Sequence, residues 1–344
     1  MSTVFSVILA TLIAVLVALN GCGGGGGDAS LAGIGGTGKI ASGTITGFGS
    51  ILVNGIEYDI DSASLEVNDD DSAGLSQDDL RIGMVVTVTA VVFDDTGDGV
   101  DDTGVASLVV YDNDIEGPVS GLSDPDNATT KSFSVLGIDV IVDTGTEFDD
   151  SDASGFSFAT IADGDVVAIS GFFDGSNVLN ATYIEKTDDF VSGESEVELK
   201  GAADAGTDAG VADSFILDGI IVNIRVDADL SKVPGERVTD SMFVEVEGRL
   251  TSDNPLTIEA FRIEQEEEHL DDDAGEAELE GFVSDFVDIT NFFKVDGQLV
   301  DATDAEFEPD SLVLSDGLKV EVEGTIEAGI LNADKVNKVK REDD

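Results

Sequence analysis

Short apolar strands broken by glycine turns set the pattern of this chain. Between Gly43 and Asp59 (GTITGFGSILVNGIEYD) two apolar runs flank the dipeptide Asn54-Gly55. Asn and Gly both tolerate the positive φ angles of a type I′ turn, so the stretch predicts a β-hairpin. Further on, Gly83–Ala90 (GMVVTVTA) predicts another strand. The phrase then returns three times in weaker form. A first-strand glycine recurs as Gly47, Gly117, Gly201 and Gly281, and the hairpin glycine as Gly55, Gly137, Gly219 and Gly297. The later block reads GMVVTVTA, GDVVAISG, SMFVEVEG and GLKVEVEG, always the same length without a gap. A last strand starts near Ala106, Ala181, Ala260 or Ala333, with Val109, Ile184, Ile263 or Val336 three residues on. A phrase recurring in this order predicts four copies of one supersecondary unit.

Alternation in Phe243-Val244-Glu245-Val246-Glu247 and in Leu318–Glu323 is the period of a strand with one wet face. The runs Leu75–Arg81 and Phe158–Asp163 fit a single helical or 3₁₀ turn. Each unit therefore predicts five strands with a short helical element between the third and fourth, the order of an OB-type barrel. Closing the sheet removes exposed edges. An up-and-down meander or a small sandwich satisfies the same pattern.

The expected organisation is all-β: four tandem small five-stranded OB-like barrels at residues 41–113, 114–187, 196–266 and 276–340, after segments 1–21 and 22–40. A unit of this size buries only about 60% of its unfolded surface, so packing against neighbours is expected to help. Almost no spacer separates the first two units, which predicts a rigid pair. Thr187–Glu196 and Glu264–Glu276 (EQEEEHLDDDAGE) read as flexible, self-repelling acidic linkers. The basic run Lys335–Arg341 reads as guarding an edge strand, or as pairing with acidic neighbours.

Charge narrows the function. The formal net charge is −57, from 16 Lys+Arg against 73 Asp+Glu, and there is no Trp. Barrels that bind nucleic acid use a basic groove with stacking aromatics, so this composition excludes that partner. Acidity of this kind keeps a surface solvated and molecules apart. Its sharper use is cation binding. The segment Phe93–Asp102 (FDDTGDGVDD) alternates carboxylates with glycine, and Ca²⁺ takes six to eight oxygen ligands. Asp94, Asp95, Asp98, Asp101 and Asp102 are the candidate metal ligands. The run partly resembles the Asp-rich calcium loops of dockerins and thrombospondin-type repeats. It departs from an EF-hand loop, with Thr96 at position three and Val105 at position twelve. A solvated loop of turn-forming Asp and Gly accounts for the same residues.

Catalysis finds little support. The one histidine, His269, lies in the acidic run Glu266–Asp271, so a zinc site of Cys and His has no ligands to draw on. Neither a Walker loop nor a dinucleotide fingerprint is present. Among 73 acidic residues some carboxylate pairs at a hydrolytic spacing are inevitable, so such pairs carry no signal.

At the N-terminus, Val4–Leu19 is apolar apart from Ser6 and Thr11, and reads as the core of an export signal. It leads into Leu19-Asn20-Gly21-Cys22, which resembles the lipobox of bacterial lipoproteins, although no Lys or Arg precedes Val4. Cys22 is the only cysteine, as expected of a thiol consumed by lipidation. The resemblance implies cleavage before Cys22, acyl chains on it and a membrane anchor. Gly23, where an aspartate would favour retention in the inner membrane, implies the outer membrane of a Gram-negative cell. Residues 23–39 then read as a flexible, glycine-rich tether.

The phrases GTITGFGSILVNGIEYD, LRIGMVVTV, Ile115-Glu116-Gly117-Pro118-Val119 and Asn180–Lys186 (NATYIEK) resemble the DUF5666 family, tandem barrel-like repeats in Gram-negative lipoproteins. Units one and two match well. Units three and four diverge, with Ser241 where the others have glycine. That family has no assigned activity, so the resemblance implies fold and location alone. The expected function is a non-catalytic binding or structural array in the cell envelope, without an enzymatic cofactor. Alternatives are a Ca²⁺-dependent adhesion or stiffening module and an oligosaccharide-binding protein. An envelope protein or polysaccharide is the partner class expected.

Overall fold

A computed structural model describes residues 37–68, 74–97, 100–123, 128–151, 154–205, 214–266, 270 and 275–339. The export segment, Cys22, Asp98 and His269 lie outside the described residues. Among those described, no helix is long and apolar enough to cross a membrane.

The fold is all-β and contains a closed five-strand barrel. In module one the strands are β1 (Thr37–Phe48), β2 (Ile51–Val53), β3 (Ile56–Asp59), β4 (Ser64–Val67), β5 (Val85–Phe93) and β6 (Thr103–Tyr111). β1 pairs antiparallel with β2 and β5, β2 with β3, and β5 with β6, while β3 closes the ring by pairing parallel with β6. The short β4 adds a parallel partner to β6 that the sequence pattern did not predict. Between β4 and β5 stands one 3₁₀ turn, Gln77–Asp79, capped by Ser76 and Asp79 in a reciprocal box. In module two, Ser157–Ile161 forms a single hydrogen-bonded turn at the same place.

The same pairings recur along the chain. Module two comprises β7 (Ile115–Ser123), β8 (Thr130–Val135), β9 (Ile138–Asp143), β10 (Glu147–Asp149), β11 (Asp165–Phe173) and β12 (Val178–Asp189). Module three has β13 (Glu196–Asp204), β14 (Ser214–Leu217), β15 (Ile220–Asp229), β16 (Phe243–Asp253) and β17 (Leu256–Gln265). Module four has β18 (Glu276–Ser284), β19 (Phe293–Val295), β20 (Gln298–Asp301), β21 (Glu306–Glu308), β22 (Lys319–Glu327) and β23 (Ile330–Lys338). In each, the third and last long strands run parallel: β9 with β12, β15 with β17, β20 with β23.

The predicted hairpin turns are present. Asn54, Leu136, Asp218 and Asp296 have φ of 50°, 50°, 47° and 47°, each followed by a glycine with positive φ. Their side chains fold back over the first strand, and this corrects one equivalence. The glycines beneath them are Gly43, Gly117, Gly201 and Gly281, whereas Gly47 lies elsewhere. A Cβ on Gly43 would stand 1.9 Å from Asn54 Oδ1, and one on Gly281 2.6 Å from Asp296 Cβ. Register agrees, because Gly43, Gly117, Gly201 and Gly281 pair with Val86, Val167, Val244 and Val320, the fourth residue of each block.

Buried Val, Ile and Leu from alternate strand positions fill the interiors. Val86, Val88 and Val109 of module one are joined there by Tyr58, and Val320, Val322 and Val336 fill module four. Burial of each such side chain contributes about 1.5–3 kcal/mol.

Between modules the structure departs from a string of beads. β1 pairs parallel with β18, so Lys39–Ser42 lie beside Glu276–Leu279 and modules one and four share a twelve-stranded sheet. β7 pairs antiparallel with β13, joining modules two and three in an eleven-stranded sheet. Modules one and two meet at Tyr183, which packs into the core of module one edge-on to Tyr111.

The segment expected to be a flexible linker between modules two and three is a hydrogen-bonded corner. β12 continues to Asp189, Gly193 N–H donates to Leu250 C=O, and Val191 N–H donates to Ser195 Oγ. Of the next expected linker, Glu264 belongs to β17 and is buried with Lys232 and Arg262 beside it, and residues 267–269 and 271–274 lie outside the described residues. Thr37–Lys39, read as the end of the tether, belong to β1. β23 is no edge strand either: it pairs on both sides, and Lys335 bonds Glu308 at 2.8 Å.

Candidate functional site: the aspartate loop and the buried charges at the joints

The loop between β5 and β6 runs from Asp94 to Asp102 and is peculiar to module one. The equivalent turns elsewhere are tight, at Asp174–Asn177, Asn254-Pro255 and Ala328-Gly329. Its carboxylates do local work. Asp102 Oδ2 accepts the backbone N–H of Asp95 at 2.9 Å and of Thr96 at 3.0 Å. Asp94 Oδ1 accepts Gly97 N–H, and Asp95 Oδ2 accepts the Thr103 hydroxyl at 2.7 Å. These are the bonds by which Asp shapes a turn around its own backbone.

Asp101 does something the sequence did not disclose. Its Oδ2 lies 3.3 Å from Lys39 Nζ, in the joint between modules one and four. Lys39 is 3% exposed, and its ammonium also meets Glu278 at 2.8 Å and Glu323 at 3.1 Å. Although burial opposes the charge, Glu278 and Glu323 together hold the ammonium well above its ordinary value. Glu278 is pushed up to about 7 by burial, with Lys39 pulling the other way. The neighbouring Tyr58 hydroxyl is raised, first by burial and then by Glu278.

At the joint between modules two and three the charges differ. Asn113, 1% exposed, donates from Nδ2 to Glu198 Oε1 at 3.1 Å. Glu198 stands directly opposite Glu116 of β7 and Glu247 of β16 in register, and Lys200 opposite Glu245. One oxygen each from Glu198, Glu245 and Glu247 lies within 4.8 Å of the others. Lys200 meets Glu245 at 3.2 Å and Asp112 at 3.6 Å, and Arg262 bonds Glu247 and Glu264, so protein cations already stand against this cluster.

Modules one and two are fastened by Arg81 and Asp149. Arg81 Nε donates to Asp149 at 2.9 Å, the Tyr183 hydroxyl donates at 3.0 Å, and Ser151 N–H at 2.8 Å. These donors hold the Asp149 carboxyl below its ordinary range against the opposing effect of burial. A groove beside β21 is lined by Glu306, Phe307, Glu308, Pro309, Asp310 and Lys335, the last already bonded to Glu308.

Lys39, Glu278, Glu198, Lys200 and Asp149 thus gather where modules touch, while Asp229, Asp288 and Asp301 are lowered by hydrogen bonds within their own turns. What the pairings define is an all-β protein of hydrogen-bonded barrel strands whose interior charges serve its joints. Residues 116–185, module two almost entire, match the model of a domain of unknown function, DUF5666. No curated protein matches the sequence.

Proposed function

We propose that the chain is a lipid-anchored envelope protein whose four OB-like barrels act as a non-catalytic binding or structural array. Anchoring through Cys22 rests on the apolar run and lipobox-like residues before it. The barrel reading rests on the ring of pairings repeated in register along the chain. One observation carries the structural role: the strongly shifted ionisable groups, Lys39, Glu198, Asp114 and Asp296 among them, lie at or beside contacts between modules. Mass spectrometry of the native protein should show acylated Cys22 and no residues 1–21. An unprocessed start with a free thiol overturns the anchor. Envelope extract passed over the immobilised protein tests the binding version, and recovery of neither protein nor polysaccharide leaves a spacer. An oligosaccharide would be the ligand expected of an OB-type barrel face.

A second reading assigns Ca²⁺ to Asp94, Asp95, Asp98, Asp101 and Asp102, with adhesion or stiffening as the outcome. Its support is that this loop is long only in module one and reaches, through Asp101, a joint with module four. Calorimetric titration decides it. Melting in millimolar Ca²⁺ that is no higher than in Na⁺ of equal ionic strength rejects the reading.

A further inference from the structure

The two joints made by strand pairing, β1 with β18 and β7 with β13, are built on equivalent positions. Gly43 and Gly117 occupy the same register, which places Lys39 and Asn113 at matching points of β1 and of the segment entering β7. Likewise Gly281 and Gly201 align Glu278 with Glu198. Lys39 bonds Glu278 and Asn113 bonds Glu198, so one contact recurs with an ammonium in one joint and a neutral amide in the other.

Neutral Asn113 gives Glu198 no ammonium of the kind Glu278 receives from Lys39, although Arg262 bonds the neighbouring Glu247. Glu116, Glu198 and Glu247 lie side by side across β7, β13 and β16, and like charges directly opposite repel. The β7–β13 pairing is short, limited to Glu198 with Glu116 and Leu199 with Ile115, so little backbone resists that repulsion.

We propose that the joint between modules two and three is a proton-operated clasp, in which a protonated Glu198 keeps β7 and β13 paired and its ionisation drives them apart. Several elements contribute to the field at Glu198, among them β6, whose Tyr111 hydroxyl is raised first by burial and then by Asp114, Glu185, Glu198 and Asp112. Glu116 faces it from β7, with the Thr187 hydroxyl of β12 donating to Glu116 at 2.7 Å. Asp112 and Asn113 face it from the segment before β7, and Lys200 from its own strand. Glu245 and Glu247 face it from β16, with Arg262 and Glu264 of β17 and Lys232 behind them. Burial first, then Glu245, pushes the Glu198 carboxyl up to about 8 from its ordinary 4.5. The packed state binds this proton more tightly than the open one. Its contribution is therefore full in acid and is lost as pH rises from the ordinary carboxylate range through about 8.

The test uses the full chain in detergent, followed by thermal melting and solution X-ray scattering from pH 6 to pH 9. Wild type is expected to melt lower and scatter as a larger particle at pH 9. Glu198→Gln is expected to lose at least half of both changes. Asn113→Lys, which supplies the ammonium found in the other joint, should flatten the profile in the same way. Glu57→Gln, an exposed change on β3, should leave it as in wild type. A wild-type profile flat from pH 6 to 9, Glu198→Gln following wild type, or Glu57→Gln flattening it equally would each overturn the clasp. If Asn113→Lys does not fold, Glu198→Gln decides alone.

Discussion

Modules one and four meet by a parallel strand pairing and modules two and three by a shorter antiparallel one, and the two joints neutralise their carboxylates differently. Where β1 meets β18, Lys39 reaches Glu278, Glu323 and Asp101 together. Where β7 meets β13, Asn113 holds Glu198 with an amide and the nearest ammonium, Lys200, serves Asp112 and Glu245. A buried carboxylate needs a counter-charge, a proton or an escape to water. The first joint has the counter-charge built in. In the second, Glu198 has no such ammonium and its carboxyl is pushed higher, to about 8 against about 7 for Glu278, so the two joints respond to pH to different extents.

The largest effect is expected at Lys39. Lys39→Asn removes the ammonium from Glu278, which is 4% exposed, and should cost about 3–5 kcal/mol in urea denaturation at pH 8. Because Glu278 can then take up a proton, much of that loss should return by pH 5; a pH-independent loss would break the parallel between the joints. Gly281→Ala comes next. Its Cβ would press on Asp296 Cβ at 2.6 Å and on Asp296 N at 3.0 Å, both fixed by the hairpin, for a cost of about 1–3 kcal/mol in the same assay. Asp101→Asn, which keeps the shape but removes one of three carboxylates from Lys39, should cost about 1 kcal/mol, because Asp101 is 21% exposed and partly screened. Smallest, and opposite in sign, is Ser241→Gly. Ser241 holds φ of 62° where Gly83, Gly164 and Gly317 stand in the other modules, so glycine should raise stability by about 0.5–1 kcal/mol. An unchanged urea midpoint would mean that the turn is not strained.

Much of the fold was legible because it rests on local chemistry. A residue followed by glycine at positive φ makes each hairpin, and alternation marks the strands of the repeated blocks. The first-strand glycine was misplaced at Gly47 because its role is steric and non-local. Only the register with Val86 and the Asn54 side chain above it single out Gly43. Lys39 was hidden at the end of a glycine-rich stretch, and Lys39-Ile40-Ala41-Ser42 shows no alternation that would mark a strand. Its partners lie more than two hundred residues away in Glu278 and Glu323, and no local pattern reports such a distance. The acidic connectors read as mobile for the same reason. Charge runs predict repulsion in isolation, while the first connector is held by Gly193 on Leu250 and Ser195 on Val191, and Glu264, at the start of the second, is met by Lys232 and by Arg262 of its own strand.

The placement of β1 has a mechanical consequence. Lys39–Ser42 are hydrogen-bonded on one side to β18 and on the other to β5. Tension applied through the residues before Thr37 would run along this strand, across perpendicular bonds to β5 and slanted ones to β18. Those bonds would share the load in shear instead of unzipping one after another. Both ends of the chain's barrel region would feel a tug at the same instant, with the Lys39 ammonium as the rivet between them.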